Sequence, residues 1–165
     1  TSHDTPAFAA TALARWWTRT GRGRYPQANR LLILADGGGS NGSRNRGWKH
    51  QLQTRFCNRF GLKVTVCHYP PGTSKWNPIE HRLFSQVSKN WAGQPLESYE
   101  TILNFIRTTK TKTGLTVTAT MLDGDYPIRV KTSDAQMAEV HLRRHRVLPM
   151  WNYTLVPAPA SKPKM

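Results

Sequence analysis

The sequence predicts an α/β architecture, followed by a smaller mixed segment of helices and short strands. Three observations lead there. Elements alternate as helix, strand, helix, strand, helix over the first 95 residues. The run Leu31-Leu32-Ile33-Leu34-Ala35 is short and continuously apolar, as a strand buried on both faces of a mostly parallel sheet would be. From Thr113 onward the pattern changes to short alternating runs.

Each element has its local cause. Thr5-Pro6 supplies a capping hydroxyl and a proline at the first helical position. Phe8, Ala9, Ala12, Leu13, Trp16 and Trp17 give that first helix an apolar face, and Gly21 and Gly23 are expected to end it. The strand over 31–35 closes at Asp36 and meets the permissive loop Gly37-Gly38-Gly39-Ser40-Asn41-Gly42. Trp48, Leu52, Phe56 and Phe60 stand four apart on a second helix, which Gly61 is placed to stop. Leu62 to Cys67 reads as a strand with Val64 and Val66 on one side, and a Pro/Gly loop spans His68 to Trp76. Asn77-Pro78 starts a third helix striped by Ile79, Leu83, Val87 and Trp91. Past Pro95, Ser98 caps a fourth, carrying Ile102, Leu103, Phe105 and Ile106. Leu115–Met121 and Ile128–Val130 alternate like strands, Ser133–His141 is helical in pattern, and Trp151–Val156 is a last strand before a Pro-rich tail.

Bulk properties narrow the function. The chain has 165 residues, of which 38% are hydrophobic, with six Trp, five Phe and five Tyr, so it can bury a core. Its net charge is +15, from 24 Lys and Arg against 9 Asp and Glu, and the arginines recur throughout. A polyanion, nucleic acid by default, suits that balance. Cys57 and Cys67 are too few for a disulfide framework and fit a reducing cytoplasm. No window approaches the roughly 18 apolar residues of a membrane span, and no N-terminal stretch reads as a signal peptide. The chain opens at Thr1 rather than Met, as a processed chain, a trimmed chain or a fragment does.

The rare acids are the informative residues. Asp36 ends a buried strand beside a glycine-rich loop, where ligand sites of open α/β sheets gather; the same residue also suits a simple turn start. Glu80 lies in the first turn of the third helix, with capping-box spacing to Asn77. The 43 residues between Asp36 and Glu80 hold no other acid and many Arg and Lys. Two such carboxylates suit a hard divalent cation and two-metal phosphoryl transfer. The glycine loop is not a phosphate-binding Walker loop, because no Gly-Lys-Ser/Thr follows; it shapes the site or makes a plain turn. Lys75, Trp76, His81 and Arg82 flank Glu80 and either grip phosphate and stack on a base, or Trp76 packs beneath the helix start. Cys57, Cys67, His50 and His68 match no zinc spacing, and burial explains both cysteines. The run Arg143-Arg144-His145-Arg146 reads as a solvated helix end or a DNA-backbone contact. Asp123, Asp125, Asp134 and Glu139 suit turns and helix starts, and Glu97 and Glu100 a helix first turn.

At this point the sequence resembles a family. Ile33-Leu34-Ala35-Asp36-Gly37-Gly38-Gly39-Ser40-Asn41-Gly42 and the block from His68-Tyr69-Pro70-Pro71-Gly72-Thr73-Ser74-Lys75-Trp76 through Asn77-Pro78-Ile79-Glu80-His81-Arg82-Leu83-Phe84-Ser85 are similar to the second-Asp and Glu blocks of ISAzo13-type insertion-sequence transposases. Asn77-Pro78-Ile79-Glu80 also resembles the Glu block of the wider Tc1/mariner and IS630 group. Asn90-Trp91, Gly93-Gln94-Pro95-Leu96, Thr111-Lys112-Thr113-Gly114-Leu115 and Trp151-Asn152-Tyr153 extend the likeness, from about Ser2 to Pro157. The resemblance implies an RNase H-like fold, incomplete here because its first strands would precede Thr1, and a D-D-E triad of which Asp36 and Glu80 are the second and third members. Asp4 matches a later part of the family than the first Asp. It implies residues 1–95 as the C-terminal part of the catalytic core and 96–165 as an extension. It further implies Mg²⁺ or Mn²⁺ in a two-metal site, and phosphodiester hydrolysis followed by strand transfer in the full-length parent, with this piece inactive alone. Expected partners are transposon-end and target DNA and further copies of the chain on that DNA, in a bacterial, nucleoid-associated setting with no membrane. Lys75, Trp76, His81, Arg82, Arg44 and Arg46 are the expected DNA contacts; Gly37, Gly38 and Asn41 shape the loop. The alternative is a non-catalytic basic nucleic-acid-binding module or a degenerate transposase remnant; a structural basic protein of a ribonucleoprotein is a further one.

Overall fold

A computed structural model describes residues 4–70 and 72–159, with Ser74 and Glu80 described by backbone alone. The described residues form two compact units, one within 1–71 and 124–165, the other within 72–123. The expected boundary at Pro95 falls inside the second unit. The described residues are α/β, with one mixed four-stranded sheet and five α-helices besides a short α-turn that prolongs the first.

The first unit carries the sheet. Helix α1 (Pro6–Trp16) starts as its sequence dictates: the Thr5 hydroxyl accepts from the Phe8 amide at 3.2 Å, and Pro6 takes the first helical position. It does not end at Gly21. A π-helical turn (Trp17–Gly21) and a last α-turn (Arg22–Arg24) carry it on. A side chain at Gly21 would collide with the Trp17 ring, so the glycine there serves packing rather than termination. Strand β1 (Arg30–Ala35) follows, then helix α2 (Arg46–Leu52), whose π-helical continuation (Gln53–Asn58) leads to Gly61 at φ +66°. Only glycine takes that left-handed backbone freely, so the helix stops where expected.

Strand β2 (Lys63–His68) pairs parallel with β1, from Arg30 opposite Lys63 to Ala35 opposite His68. The sheet order is β1-β2-β4-β3, with β4 (Asn152–Leu155) antiparallel to both β2 and β3 (Leu142–Arg144). One sheet face carries Leu31, Ile33, Val64, Val66, Tyr153 and Leu155 against Ala10, Ala14 and Trp17 of the first helix and Trp48, Leu52, Phe56 and Cys57 of the second. The expected period-four stripe of α2 is therefore the core. Buried Gln53 adds a polar stitch: its amide nitrogen donates to the Val156 carbonyl at 2.9 Å and its oxygen accepts from the His141 amide at 3.1 Å.

Four expectations need correction here. Strand β1 is not buried on both faces: among the described residues it is a sheet edge, and Leu32 and Leu34 are 59% and 54% exposed because no described layer of this unit covers the second face. Leu115–Met121 and Ile128–Val130 alternate but form no strands, since the nearby backbone pairing is a single bridge between Lys110 and Thr116. Arg143-Arg144-His145-Arg146 is not a helix end; it enters a β-hairpin through β3. Cys57 is buried, but Cys67, on the uncovered face, is only half-buried. Burial pushes the Cys57 thiol up to about 11. A thiol-reactive dye at neutral pH is therefore expected to label Cys67 alone in the native protein and both cysteines after denaturation. Native labelling of Cys57 at an equal rate would contradict the packing.

The capped helix α5 (Asp134–Ala138) has a full capping box, with Ser133 and Gln136 exchanging side-chain and backbone hydrogen bonds. In the second unit, α3 (Ser85–Asn90) and α4 (Tyr99–Thr108) form the helical pair. Ser98 caps α4 through the Thr101 amide at 3.0 Å, and Glu100 lies in its first turn. Asn90 ties the two together by donating to the Phe105 carbonyl at 2.6 Å. Of the stripe expected on the third helix, Val87 is buried, while Ile79 is 49% exposed.

Candidate metal and nucleic-acid site

Asp36 follows directly on β1, at the sheet end where both parallel strands finish. Its side chain is exposed. The Asn41 amide nitrogen donates to Asp36 Oδ1 at 3.0 Å and to the Gly38 carbonyl at 2.8 Å, the orientation in which both acceptors meet a donor. The loop between them closes through a 3₁₀ turn (Gly39–Asn41), with Gly39 at φ +66°. Ser40 is buried and donates to Asp4 Oδ1 at 2.7 Å, and its carbonyl accepts from Asn45 at 3.1 Å. Asn45 also caps α2 through the Trp48 amide. The loop is thus sewn to the start of both helices, and Asp4 serves it as an anchor.

The Asp36 main chain is held from below. His68, the last residue of β2 and buried, brings Nδ1 to 3.0 Å of the Asp36 carbonyl. A carbonyl only accepts, so Nδ1 carries the ring proton and Nε2 faces the Tyr153 hydroxyl, 3.4 Å away. Burial holds the imidazole below its ordinary pKa and pushes the Tyr153 phenol up. Both groups are therefore neutral at physiological pH. The Lys49 ammonium stands 5.5 Å from the Tyr153 ring centre, its pKa lowered by burial and by Arg144.

A cavity of about 390 Å³ opens beside Asp36, lined among others by Gly37, Gly39, Arg44, His68, Tyr69 and Trp151. Arg44 is exposed there. Arg46 is not at this cavity; it pairs with Asp134 at the start of α5. Sequence reasoning did not single out His68, Tyr153 or Lys49 for this site. His68 had a usable signal: it ends an apolar strand as Asp36 does.

The second unit gathers the other expected residues. Asn77 accepts from the Ile79 amide at 3.2 Å and so starts the helical segment, which continues as a π-turn (Glu80–Phe84) into α3. The Glu80 side chain lies outside the described residues. His81 Nε2 lies 2.6 Å from the Lys75 carbonyl, and Ser85 donates to the His81 carbonyl. The Lys75 ammonium is 5.9 Å from the Trp76 ring centre. Trp76 is 65% exposed, so it does not pack under the helix start, and Arg82 is exposed as well. An exposed indole beside the Lys75 ammonium is suited to stacking and phosphate contact.

Among the described residues, no three His, Cys, Asp or Glu side chains gather as a metal-ion group, and no helix is long and apolar enough to cross a membrane. A family model described as a Rhodopirellula transposase DDE domain matches residues 1–157. No curated protein and no solved structure matches the chain.

Proposed function

The chain belongs to the ISAzo13-type family of DDE transposases, and we propose that it supplies two carboxylates, Asp36 and Glu80, to the metal site that cuts and joins DNA in its full-length parent. The observation that carries this reading is the setting of Asp36: an exposed carboxylate at the C-terminal end of a strand, its main chain fixed by His68 and its side chain oriented by Asn41. That setting fits a hard cation, which takes oxygen ligands and tolerates an outer-shell amide. Mg²⁺ or Mn²⁺, when bound, supplies charge stabilisation and activation of the attacking oxygen in an in-line displacement.

The protein's own residues do the rest. Asn41 keeps the Asp36 carboxylate turned toward the loop mouth, and the His68–Tyr153 pair prevents the strand end from drifting. Arg44 offers charge to a phosphate beside Asp36, and Lys75, Trp76, His81 and Arg82 form the contact surface around Glu80. In this reading the fold is RNase H-like, with the remaining carboxylate on a strand upstream of Thr1, and the enzyme works on transposon ends and target DNA in the bacterial nucleoid, as an oligomer. The bared edge and outer face of β1 agree with a further strand and layer in the parent. The division at Pro95 separates core from extension in function, whatever the packing of the units.

Fe²⁺ with ascorbate and peroxide, used in place of Mg²⁺ on the parent, tests the site directly. Backbone scission is expected near both Asp36 and Glu80, and is expected to vanish in Asp36→Asn. Scission confined to one of the two, or unchanged in the variant, would leave the non-catalytic DNA-binding module as the better description.

A further inference from the structure

The hairpin formed by β3 and β4 has a tip that general folding rules do not explain. Val147, Leu148 and Met150 are 69%, 56% and 55% exposed, side by side at one loop. Such apolar side chains normally turn inward, and a cluster of them held outward marks a contact surface. This loop is well tied. The Trp151 and Asn152 amides both donate to the Leu148 carbonyl at 2.9 Å, the Asn152 side chain donates to the Val147 carbonyl at 3.1 Å, and Arg144 donates to the Pro149 carbonyl at 3.0 Å. Leu148 sits at φ +50°, a left-handed backbone that leucine rarely takes. The hydrogen bonds hold it there.

The flanks are basic. Arg143 and Arg146 are exposed, and among the described residues neither is in an ion pair. The topology sets where the tip points. Strand β4 runs antiparallel to β2 and starts at Asn152 opposite Cys67, so the tip leaves the sheet at the end where β1 and β2 finish. That is the end of Asp36 and His68. Trp151 lines the cavity beside Asp36, and its carbonyl accepts from the His68 amide at 3.2 Å. One strand lies between β1 and β4, so these two are roughly 10 Å apart at the usual spacing.

We propose that this hairpin is a DNA wedge: Arg143 and Arg146 contact phosphates, while Val147, Leu148 and Met150 enter the minor groove and open a base step next to the cleavage position. Basic arms with an apolar tip are what unstacking a duplex requires, because the charges hold the backbone and the tip replaces the lost stacking. The position next to cleavage rests on the reading of Asp36 given above; the DNA contact itself does not. An apolar tip with arginines also suits an anionic lipid surface, which the test separates.

The test is done in EDTA, so that binding is read without metal chemistry. Affinity for a short duplex is measured by anisotropy across a salt series, and unstacking by 2-aminopurine placed at successive steps. The tip variant Val147→Ser/Leu148→Asn/Met150→Ser, in which Asn accepts the left-handed backbone, is expected to bind severalfold more weakly with an unchanged salt slope, and to lose the 2-aminopurine signal. Arg143→Gln/Arg146→Gln is expected to reduce the salt slope by about two. Both readouts are taken without metal, so failure of the metal reading leaves this result readable. The single variant Leu148→Gly, which relaxes the backbone and removes one apolar group, gives a partial loss if the triple variant unfolds. Unchanged affinity and 2-aminopurine signal in the tip variants would overturn the wedge. So would loss of binding only to phosphatidylglycerol vesicles with duplex binding intact.

Discussion

Asp36→Asn is expected to lower Mg²⁺-dependent DNA cleavage by the full-length parent by more than about a hundredfold, beyond the 10- to 100-fold typical of losing an outer-shell partner. The substitution keeps the shape of the side chain. Its oxygen still accepts from Asn41, and the main-chain carbonyl still accepts from His68. The glycine loop, anchored through Ser40 to Asp4 and through Asn45 to α2, does not depend on the Asp36 charge. The melting temperature should therefore stay close to that of wild type. What disappears is one negative charge at the strand end, which a hard cation needs and a neutral amide does not supply. Cleavage within about threefold of wild type, with a normal fold, would remove Asp36 from the metal site and return it to the role of a turn residue.

How much of this site could be read beforehand follows from what is local. Asp36 and its loop are one contiguous stretch, so a strand end, a run of glycines and a lone acid in a basic chain point there together. Asn77 as a helix start is equally local, and its side chain does accept from the Ile79 amide. Tyr153 is different. It reaches the neighbourhood of Asp36 because β4, about 85 residues downstream of β2, inserts antiparallel beside it, and Lys49 on α2 then stands over its ring. Nothing in a single sequence gives that pairing. His68 lies between these cases: it ends an apolar strand, but its position in a Pro/Gly-rich loop pattern hid it.

The same division holds for the fold. Period-four stripes identify α2, and capping hydroxyls identify the starts of α1, α4 and α5. Strand β3 is three residues long and two of them are arginines, so its sequence reads as a charge run. Its pairing with β4, opposite buried Tyr153 and Leu155, makes it a strand. Conversely, Leu115, Val117 and Ala119 alternate with threonines as a strand should, and their burial alternates too. The segment makes one bridge, between Lys110 and Thr116, and no ladder, because alternation specifies a face and not a partner. Leu31–Ala35 shows the same limit from another side: a continuous apolar run says which residues avoid water, but the layer that covers Leu32 and Leu34 has to come from elsewhere.

Phe56→Ala is expected to destabilise the first unit by about 3–5 kcal/mol, the usual range for a buried aromatic truncated in a packed core. Phe56 is fully buried and sits where the two helices and the sheet meet. Its ring lies edge-on to Trp17 at 6.3 Å and to Phe60 at 5.2 Å, so the substitution also removes two aromatic pairs. The hole cannot close easily, because the neighbours on α2 are held by Gln53, which bonds His141 and Val156 across the unit. A small domain has only about 5–15 kcal/mol in hand, so the variant should be largely unfolded at modest urea concentrations. Phe60→Ala provides the control. That ring is half-buried and keeps one face toward Arg59, so its loss should cost clearly less. Urea titration followed by tryptophan fluorescence reads both, since Trp17 and Trp48 lie in the same cluster. If Phe56→Ala cost no more than Phe60→Ala, the helices would not be packed on the sheet through this residue, and the cluster that fixes β1 and Asp36 would have to be drawn differently.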